Sequence, residues 1–503
     1  MVYEWTICTS IKQFLSNKRD NFNTKIFIKL LLMHKLKSLV SSAIFPLSIL
    51  FAAHAAEKPN VIIIYNDDQG YQDLGCFGSP NILTPRIDQL AKEGVRFTNF
   101  YSSSSVCSAS RASLMTGCYA PRVGVPGVIG AGSNVGLKQE HVTIAEILKS
   151  VGYNTAAVGK WHLGDMPKFL PVNQGFDSYY GIPYSNDMFP SRHTKYADNC
   201  LWRNGFSPDS LNNLFARLEP NNIRPMSVKE NVPLLCDFEC IEYPVDQTTV
   251  TKRYADEGIK FIQKSVKEKK PFFLYLANSM THTPLFASPE FIGKSKRGLY
   301  GDVVEEIDYN TGRILDLLKE LGVDENTIVI YSSDNGPWLE KGKNSGSALP
   351  LFEGKFTSFE GGMRVPFIVR WPKALPAGKT CTELAATMDI LPTLASITGA
   401  KLPEMEIDGK NILDLLKGNP DAKSPHEYYF MVQNGEAVRW GDWKYHKKEF
   451  FQFKGTARKA DGPTLYNLKN DIGETENVIA QHPEIAARLA KALDEHLKRI
   501  NKQ

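Results

Sequence analysis

Short β-branched runs alternate with amphipathic stretches along most of this chain, and few folds accept that order. Asn60-Val-Ile-Ile-Ile-Tyr65 is apolar at every interior position rather than at every second one. A strand of that kind is covered on both faces, as in a parallel sheet between helices. The spacing predicts a helix over residues 85–93, with Ile87, Leu90 and Ala91 on one face and Gly94 ending it. Further pairs follow: helix 144–149 and strand 155–158, helix 252–266 and strand 272–277, helix 303–321 and strand 327–331. In the last helix Ile307, Thr311, Ile314, Leu315 and Leu318 form one apolar stripe. The fold class is therefore α/β, a large, mostly parallel mixed sheet sandwiched by helices. Residues 198–245 are proline-rich and read as an excursion bordering the site. After about residue 420 come short strand-like pieces, 428–432, 436–439 and 443–445, then a helix over 483–501. Three regions result: 1–55, 56–420, and a smaller antiparallel sheet plus helix over 421–503.

The charge of +4 sits in the first 56 residues, which hold seven Lys/Arg and two Asp/Glu, leaving 52 against 53 beyond them. So balanced a body gives no sign of a nucleic-acid footprint, which needs a basic face, and no nucleic-acid partner is expected. Lys35 and Lys37 precede an apolar run over 39–51, and Ala53-His54-Ala55 supplies a small-x-small cleavage pattern. This reads as a secretory signal peptide, compact if translation starts at Met33, and it implies a secreted or periplasmic protein. The run is shorter than the ~20 residues of a membrane span and Pro46 interrupts it, so no span is expected after cleavage. Of eight cysteines, cleavage removes Cys8. Six remain besides Cys107, an even number compatible with disulfides after export. No Cys/His spacing suits a structural zinc site.

Ligand groups in such sheets collect beyond the carboxyl ends of strands. Asp67-Asp68 follows one predicted strand and Asp334-Asn335 another, while His282 lies shortly after a third. Such aspartates often cap the next helix, but two oxygen-donor pairs at one topological address suit a hard cation better than zinc. Lys160 and His162 follow strand 155–158 through Gly159, and Lys355 lies in a glycine-bounded loop. Taken singly, these lysines read as surface charges and the histidines as satisfied core residues. In Cys107-Ser-Ala-Ser-Arg111, followed by Thr116-Gly117, Arg111 lies one helical turn beyond a cysteine at a helix N-terminus, where an anion is favoured.

These segments occur in one order: Asn66-Asp-Asp-Gln-Gly-Tyr71, the Cys107 signature, Gly159-Lys-Trp-His-Leu-Gly164, Gly181-Ile-Pro-Tyr-Ser-Asn-Asp187, His282, Ser333-Asp-Asn-Gly336, and Lys355 with Glu360-Gly-Gly362. From about Pro59 to its C-terminus the chain resembles the type I, arylsulfatase-A-like, formylglycine-dependent sulfatases of the alkaline phosphatase superfamily. That resemblance makes 56–420 the catalytic domain and implies a sulfuric ester hydrolase. It implies that Asp67, Asp68, Asp334 and Asn335 bind one divalent cation, calcium or else magnesium, with formylglycine-107 as a further ligand. It implies that the aldehyde hydrate, deprotonated with help from Asp334, attacks sulfur to give a covalent sulfate ester, and that His162 then removes a proton to expel sulfate. His282 with Lys355 would serve the leaving oxygen, while Arg111, Lys160 and Lys355 neutralise charge. Ser185 would lie near the substrate.

The expected substrate is a sulfated glycan or monosaccharide, with exo action on galactose or N-acetylgalactosamine sulfate. Asp187, Arg192 and His193 are candidates for reading sugar hydroxyls, as are Arg439 and Trp440. The resemblance also implies a formylglycine-generating or sulfatase-maturating enzyme as a partner. Two positions depart from the common pattern: Ala109 stands where many relatives carry proline, and Phe356 where a smaller residue is common. Two other readings remain open, a formylglycine-dependent phosphodiesterase or phosphonate monoester hydrolase, and a silent glycan-binding protein with unconverted Cys107.

Overall fold

A computed structural model describes residues 58–218, 226–433, 435–452 and 462–500. The extension and signal peptide read over 1–55, with Cys8, and the last residue of the 483–501 helix lie outside the described residues. No described helix is long and apolar enough to cross a membrane.

The main sheet has eleven strands. Its parallel centre runs Thr327–Ser333, Asn60–Asn66, Phe272–Ala277, Asn154–Gly159, Ser178–Gly181. Alternate residues of Asn60–Asn66 enter two separate cores. Val61, Ile63 and Tyr65 face one with Ala109, Leu148 and Leu391; Ile62 and Ile64 face the other with Leu90, Tyr254 and Ile314. Helices therefore cover both faces, which is why this strand is apolar throughout. The observed helices Pro85–Glu93, Ile144–Ser150, Val250–Lys267 and Leu299–Glu320 match the predicted ones, the last beginning a turn early. Its extra turn is anchored by Tyr300, whose hydroxyl donates to Asp73 Oδ2 at 2.5 Å.

Antiparallel strands were less legible. Phe367–Arg370 extends one side of the sheet antiparallel to its centre, and Val95–Phe97 pairs antiparallel with Phe367–Arg370 in turn. The proline-rich excursion adds Leu234–Cys236, Glu239–Tyr243 and Lys195–Trp202 on the other. All seven described cysteines are free thiols, so the disulfides compatible with their even number are absent among the described residues. Cys118 Sγ instead donates to the carbonyls of Thr116 and Glu406, while Cys200 and Cys240 lie 4.0 Å apart.

Near the C-terminus, Tyr429–Val432, Glu436–Trp440, Trp443–Lys448 and Thr464–Asn467 form an antiparallel sheet. Helix Pro483–Ile500 packs Ala486, Leu489 and Leu493 on Val438, Tyr445 and Leu465. The helix spacing of three and four residues makes that single apolar face.

Candidate active site

Sheet register brings the two acidic pairs together. Asn66 is opposite Ser333 on parallel neighbours, so Asp67-Asp68 and Asp334-Asn335 emerge side by side. Asp68 N donates to Asp334 Oδ1 at 3.1 Å, and Asn335 Nδ2 to Asp68 Oδ1 at 2.7 Å. Asp68 adopts φ +61°, a conformation aspartate tolerates better than most residues. His162 and Phe356 share that left-handed region, so backbone strain concentrates around this cluster.

Cys107 opens helix Cys107–Thr116 and is buried. One turn on, Arg111 donates through Nε and Nη2 to Asp334 Oδ2 at 3.0 and 2.8 Å, and through Nη1 to the Lys160 carbonyl at 3.0 Å. Gly159 delivers Lys160: at φ +109°, a Cβ there would lie 1.8 Å from the Ala277 carbonyl oxygen, so only glycine lets the chain turn. Lys160 Nζ pairs with Asp67 Oδ2 and sits 3.3 Å from Ser185 Oγ. Lys355 Nζ reaches Asp68 Oδ1 at 2.7 Å, and His282 Nε2 lies 3.7 Å from Asp68 Oδ2. Trp338 and Phe356 wall this side, with the Trp338 ring 5.5 Å from both His282 and Phe356.

Electrostatics follow from burial. Burial and the charge of Asp67 push Asp334 up to about 7, despite Arg111 and Lys160. Burial opposes ionisation of Asp67 too, but Lys160, His282 and Arg111 hold it far below the carboxylate range. Burial raises the Cys107 thiol, outweighing Lys160 and Lys355. It is therefore a neutral thiol and a poor nucleophile at pH 7. Burial, then Lys160, drives His162 well below the usual histidine range. Its Nε2 lies 3.0 Å from the Ile129 carbonyl, which only accepts, so Nε2 carries the hydrogen. Buried Nδ1 has no partner and is left a bare acceptor.

Asp67, Cys107 and Asp334 offer ligand atoms that all lie within 4.8 Å of one another. Asp67 Oδ1 and Asn335 Oδ1 are buried without hydrogen-bond partners. Orphaned buried oxygens from a carboxylate and an amide, beside further carboxylates, fit a hard divalent cation.

Every predicted catalytic and cation-binding residue stands in or beside this cluster, as does Ser185. His193 Nδ1 lies 3.4 Å from Asp165, Arg192 is exposed, and Asp187 is half-buried. Arg439 is a correction: it is buried, pairs with the Tyr101 hydroxyl and donates to the Gly441 carbonyl at 2.8 Å, which leaves it no sugar to read. Trp440 stacks under Arg488, whose guanidinium carbon is 4.0 Å from the ring. Asn186 and Gln247, buried behind His282, were missed; Asn186 lay inside a quoted segment, whereas nothing in the sequence marked Gln247.

Buried acids and three cations gather around a residue at a helix N-terminus, beyond the carboxyl ends of a parallel sheet, an arrangement suited to hydrolysing anionic esters. A family model described as Sulfatase matches residues 59–400, and one described as N-sulphoglucosamine sulphohydrolase, C-terminal, matches 350–503. Human (Homo sapiens) arylsulfatase A is 36% identical over 464 residues, covering 86% of this chain and 87% of that protein. N-acetylgalactosamine-6-sulfatase from Canis lupus familiaris is 36% identical over 423 residues, covering 78% and 73%. The solved structure of Ps i-CgsB in complex with k-i-k-neocarrahexaose superposes with TM-score 0.70 at 31% identity, covering 87% of this chain and 92% of that one. The chain belongs to the sulfatase family, hydrolases of sulfuric esters with the alkaline-phosphatase-like fold.

Proposed function

We propose that this enzyme removes sulfate from a sulfated carbohydrate, acting at a nucleophile made from Cys107 after export to the periplasm or medium. The carrying observation is a buried, neutral Cys107 thiol beside two aspartates at a helix N-terminus, with Lys160 and Lys355 acting on it. Unmodified, that thiol is inert; converted by a maturation enzyme to formylglycine, residue 107 supplies a hydrated aldehyde whose hydroxyl attacks sulfur. Asp67, Asp68, Asp334 and Asn335 would hold the cation, calcium in our reading with magnesium as the alternative, which supplies Lewis acidity toward sulfate oxygens.

The chain's own groups then divide the work. Lys160 and Lys355 neutralise sulfate, and Arg111, bound to Asp334, holds that carboxylate in register. His162 Nδ1, the bare acceptor, takes the proton from the residue-107 hydroxyl as sulfate departs. His282 Nε2, with Lys355, serves the departing sugar oxygen. Ser185 hydrogen-bonds Lys160 and lies beside the ester. The similarity to N-acetylgalactosamine-6-sulfatase and to Ps i-CgsB, solved with neocarrahexaose, supports galactose or N-acetylgalactosamine sulfate as substrate, and our reading takes the cleavage as exo.

The test is mass spectrometry of residue 107 in protein from a host with a matching maturase, joined to assays on sulfated sugars and phosphodiesters. Formylglycine with desulfation of galactose or N-acetylgalactosamine sulfate is expected. Unmodified Cys107, or a preference for phosphodiesters, refutes the reading. Chelation with EDTA should abolish turnover and lower Tm, both restored by calcium; full activity in metal-free protein would remove the cation from the scheme. The pH profile is a further check. A base whose pKa is depressed stays neutral as pH falls through 6.5, so with breakdown of the residue-107 sulfate ester rate-limiting the acid limb of kcat should lie below the ordinary histidine value of about 6.5. A limb at or above it would exclude His162 as that base.

A further inference from the structure

Behind His282 a line of side-chain amides runs toward the excursion. His282 Nδ1 lies 2.7 Å from the Thr283 carbonyl oxygen and 3.2 Å from Asn186 Oδ1, with Ser185 Oγ a weaker neighbour at 3.5 Å. Asn186 Nδ2 donates to the Pro284 carbonyl and to Gln247 Oε1, each at 3.0 Å. Gln247 Nε2 donates to the carbonyls of Asn186 at 3.1 Å and Glu230 at 2.9 Å. All three side chains are buried.

Backbone carbonyls only accept, and that dictates every orientation along the line. The carbonyls of Glu230 and Asn186 fix the nitrogen of Gln247, so its oxygen must face Asn186. The carbonyl of Pro284 fixes the nitrogen of Asn186, so its oxygen must face His282. An imidazole nitrogen between two oxygen acceptors carries the hydrogen. Nε2, 3.7 Å from Asp68 Oδ2, is then the one ring atom that exchanges a proton on the site side.

We propose that Asn186, itself held by Gln247, is a positioning residue for desulfation: it locks His282 in the Nδ1–H form with Nε2 turned toward the departing oxygen. This rests on the reading of His282 as the group that serves the leaving alcohol. Burial, then Lys355, disfavours the imidazolium in the free site; the bound anionic ester favours it, so Nε2 takes up a proton from water and passes it to the alkoxide oxygen as the S–O bond breaks. Nδ1–H stays on Asn186 Oδ1 and the Thr283 carbonyl throughout. A sugar alcohol is a poor leaving group and needs that proton, whereas nitrophenolate leaves without it. The signature of Asn186 is therefore a loss that depends on the leaving group, which a fold defect would not produce.

The experiment uses the full exported chain with formylglycine verified at residue 107. In Asn186→Leu, kcat on galactose 6-sulfate should fall at least about tenfold, while kcat on 4-nitrophenyl sulfate changes less than about twofold. KM for both esters and inhibition by inorganic sulfate should stay within about twofold. Gln247→Met, which leaves Asn186 in place but frees its amide, should show the same pattern at about threefold and serves if Asn186→Leu does not fold. Equal losses on both esters, or none, overturn the proposal. Neutron diffraction from the wild-type protein supplies a readout free of activity: deuterium on Nδ1 of His282, facing Asn186, is expected. Deuterium on Nε2 with none on Nδ1 overturns the assignment. If the wild type cleaves neither ester, the proposed function fails, and the neutron density still decides the part played by Asn186.

Discussion

Replacing Cys107 with alanine is expected to lower kcat by at least about 10⁴-fold in protein made in a converting host, the order seen when a covalent nucleophile is deleted. Around residue 107 the charges of Asp67, Asp68 and Asp334 are balanced by Lys160, Lys355 and Arg111. A divalent cation held there would shift that balance to two positive charges, suited to an anionic ester and to the charge that develops on attack. Binding should therefore survive the substitution: inhibition by inorganic sulfate should stay within about threefold, since only a small buried group is lost. Steady-state kinetics on 4-nitrophenyl sulfate, with Tm as a control for folding, provides the measurement. A variant retaining more than about one hundredth of wild-type turnover would show that residue 107 is not the nucleophile.

The second large effect lies away from the chemistry. Lys444→Met is expected to destabilise the protein by about 3–5 kcal/mol, because it strands two buried carboxylates. Lys444 Nζ lies 2.9 Å from Glu360 Oε1 and 3.0 Å from Glu474 Oε1, and all three residues are 0% exposed. Burial alone would raise Glu360, but Lys444, Arg439 and Arg364 outweigh it and pull its pKa to about 2. Because the folded value is depressed, this contribution is complete above the unfolded value of about 4.3 and is lost as pH falls through about 2. The network also reaches the site. Glu360 follows the Lys355 loop, and His446 Nδ1 lies 3.4 Å from Ser358 Oγ within that loop. Urea midpoints and Tm at pH 7 give the comparison, with Lys447→Met as reference. Lys447 is half-exposed against Asp494 at 2.9 Å and should change stability by less than about 1 kcal/mol. Equal effects from the two lysines would mean that the buried network carries no special weight.

The carboxyl ends of strands were the most legible part of the site. Asp67, Asp68, Asp334 and Asn335 follow runs whose burial on both faces is written in consecutive β-branched residues, and Cys107 opens the helix expected of it. Short antiparallel strands such as Val95–Phe97 were not legible, since three residues carry too little periodicity to separate strand from loop. Sugar-reading candidates fared unevenly for a related reason. Arg439 and Ser185 are both polar residues in plausible places, and only packing turned one toward Tyr101 and the other toward Lys160.

The sequence by itself determined the local matters: which runs become strands, where they end, and which acids, lysines and histidines stand at those ends. Such properties depend on residues within a turn or two of one another, so a linear pattern suffices. Tertiary structure alone decided which ends meet and which atom of each side chain faces the site. Asn66 meets Ser333 across 267 residues, and Gln247, unmarked in its own neighbourhood, orients His282 through Asn186. A hydrogen-bond partner, a tautomer or an orphaned carboxylate oxygen is a property of what folding brings within about 3 Å, a distance that sequence spacing does not encode.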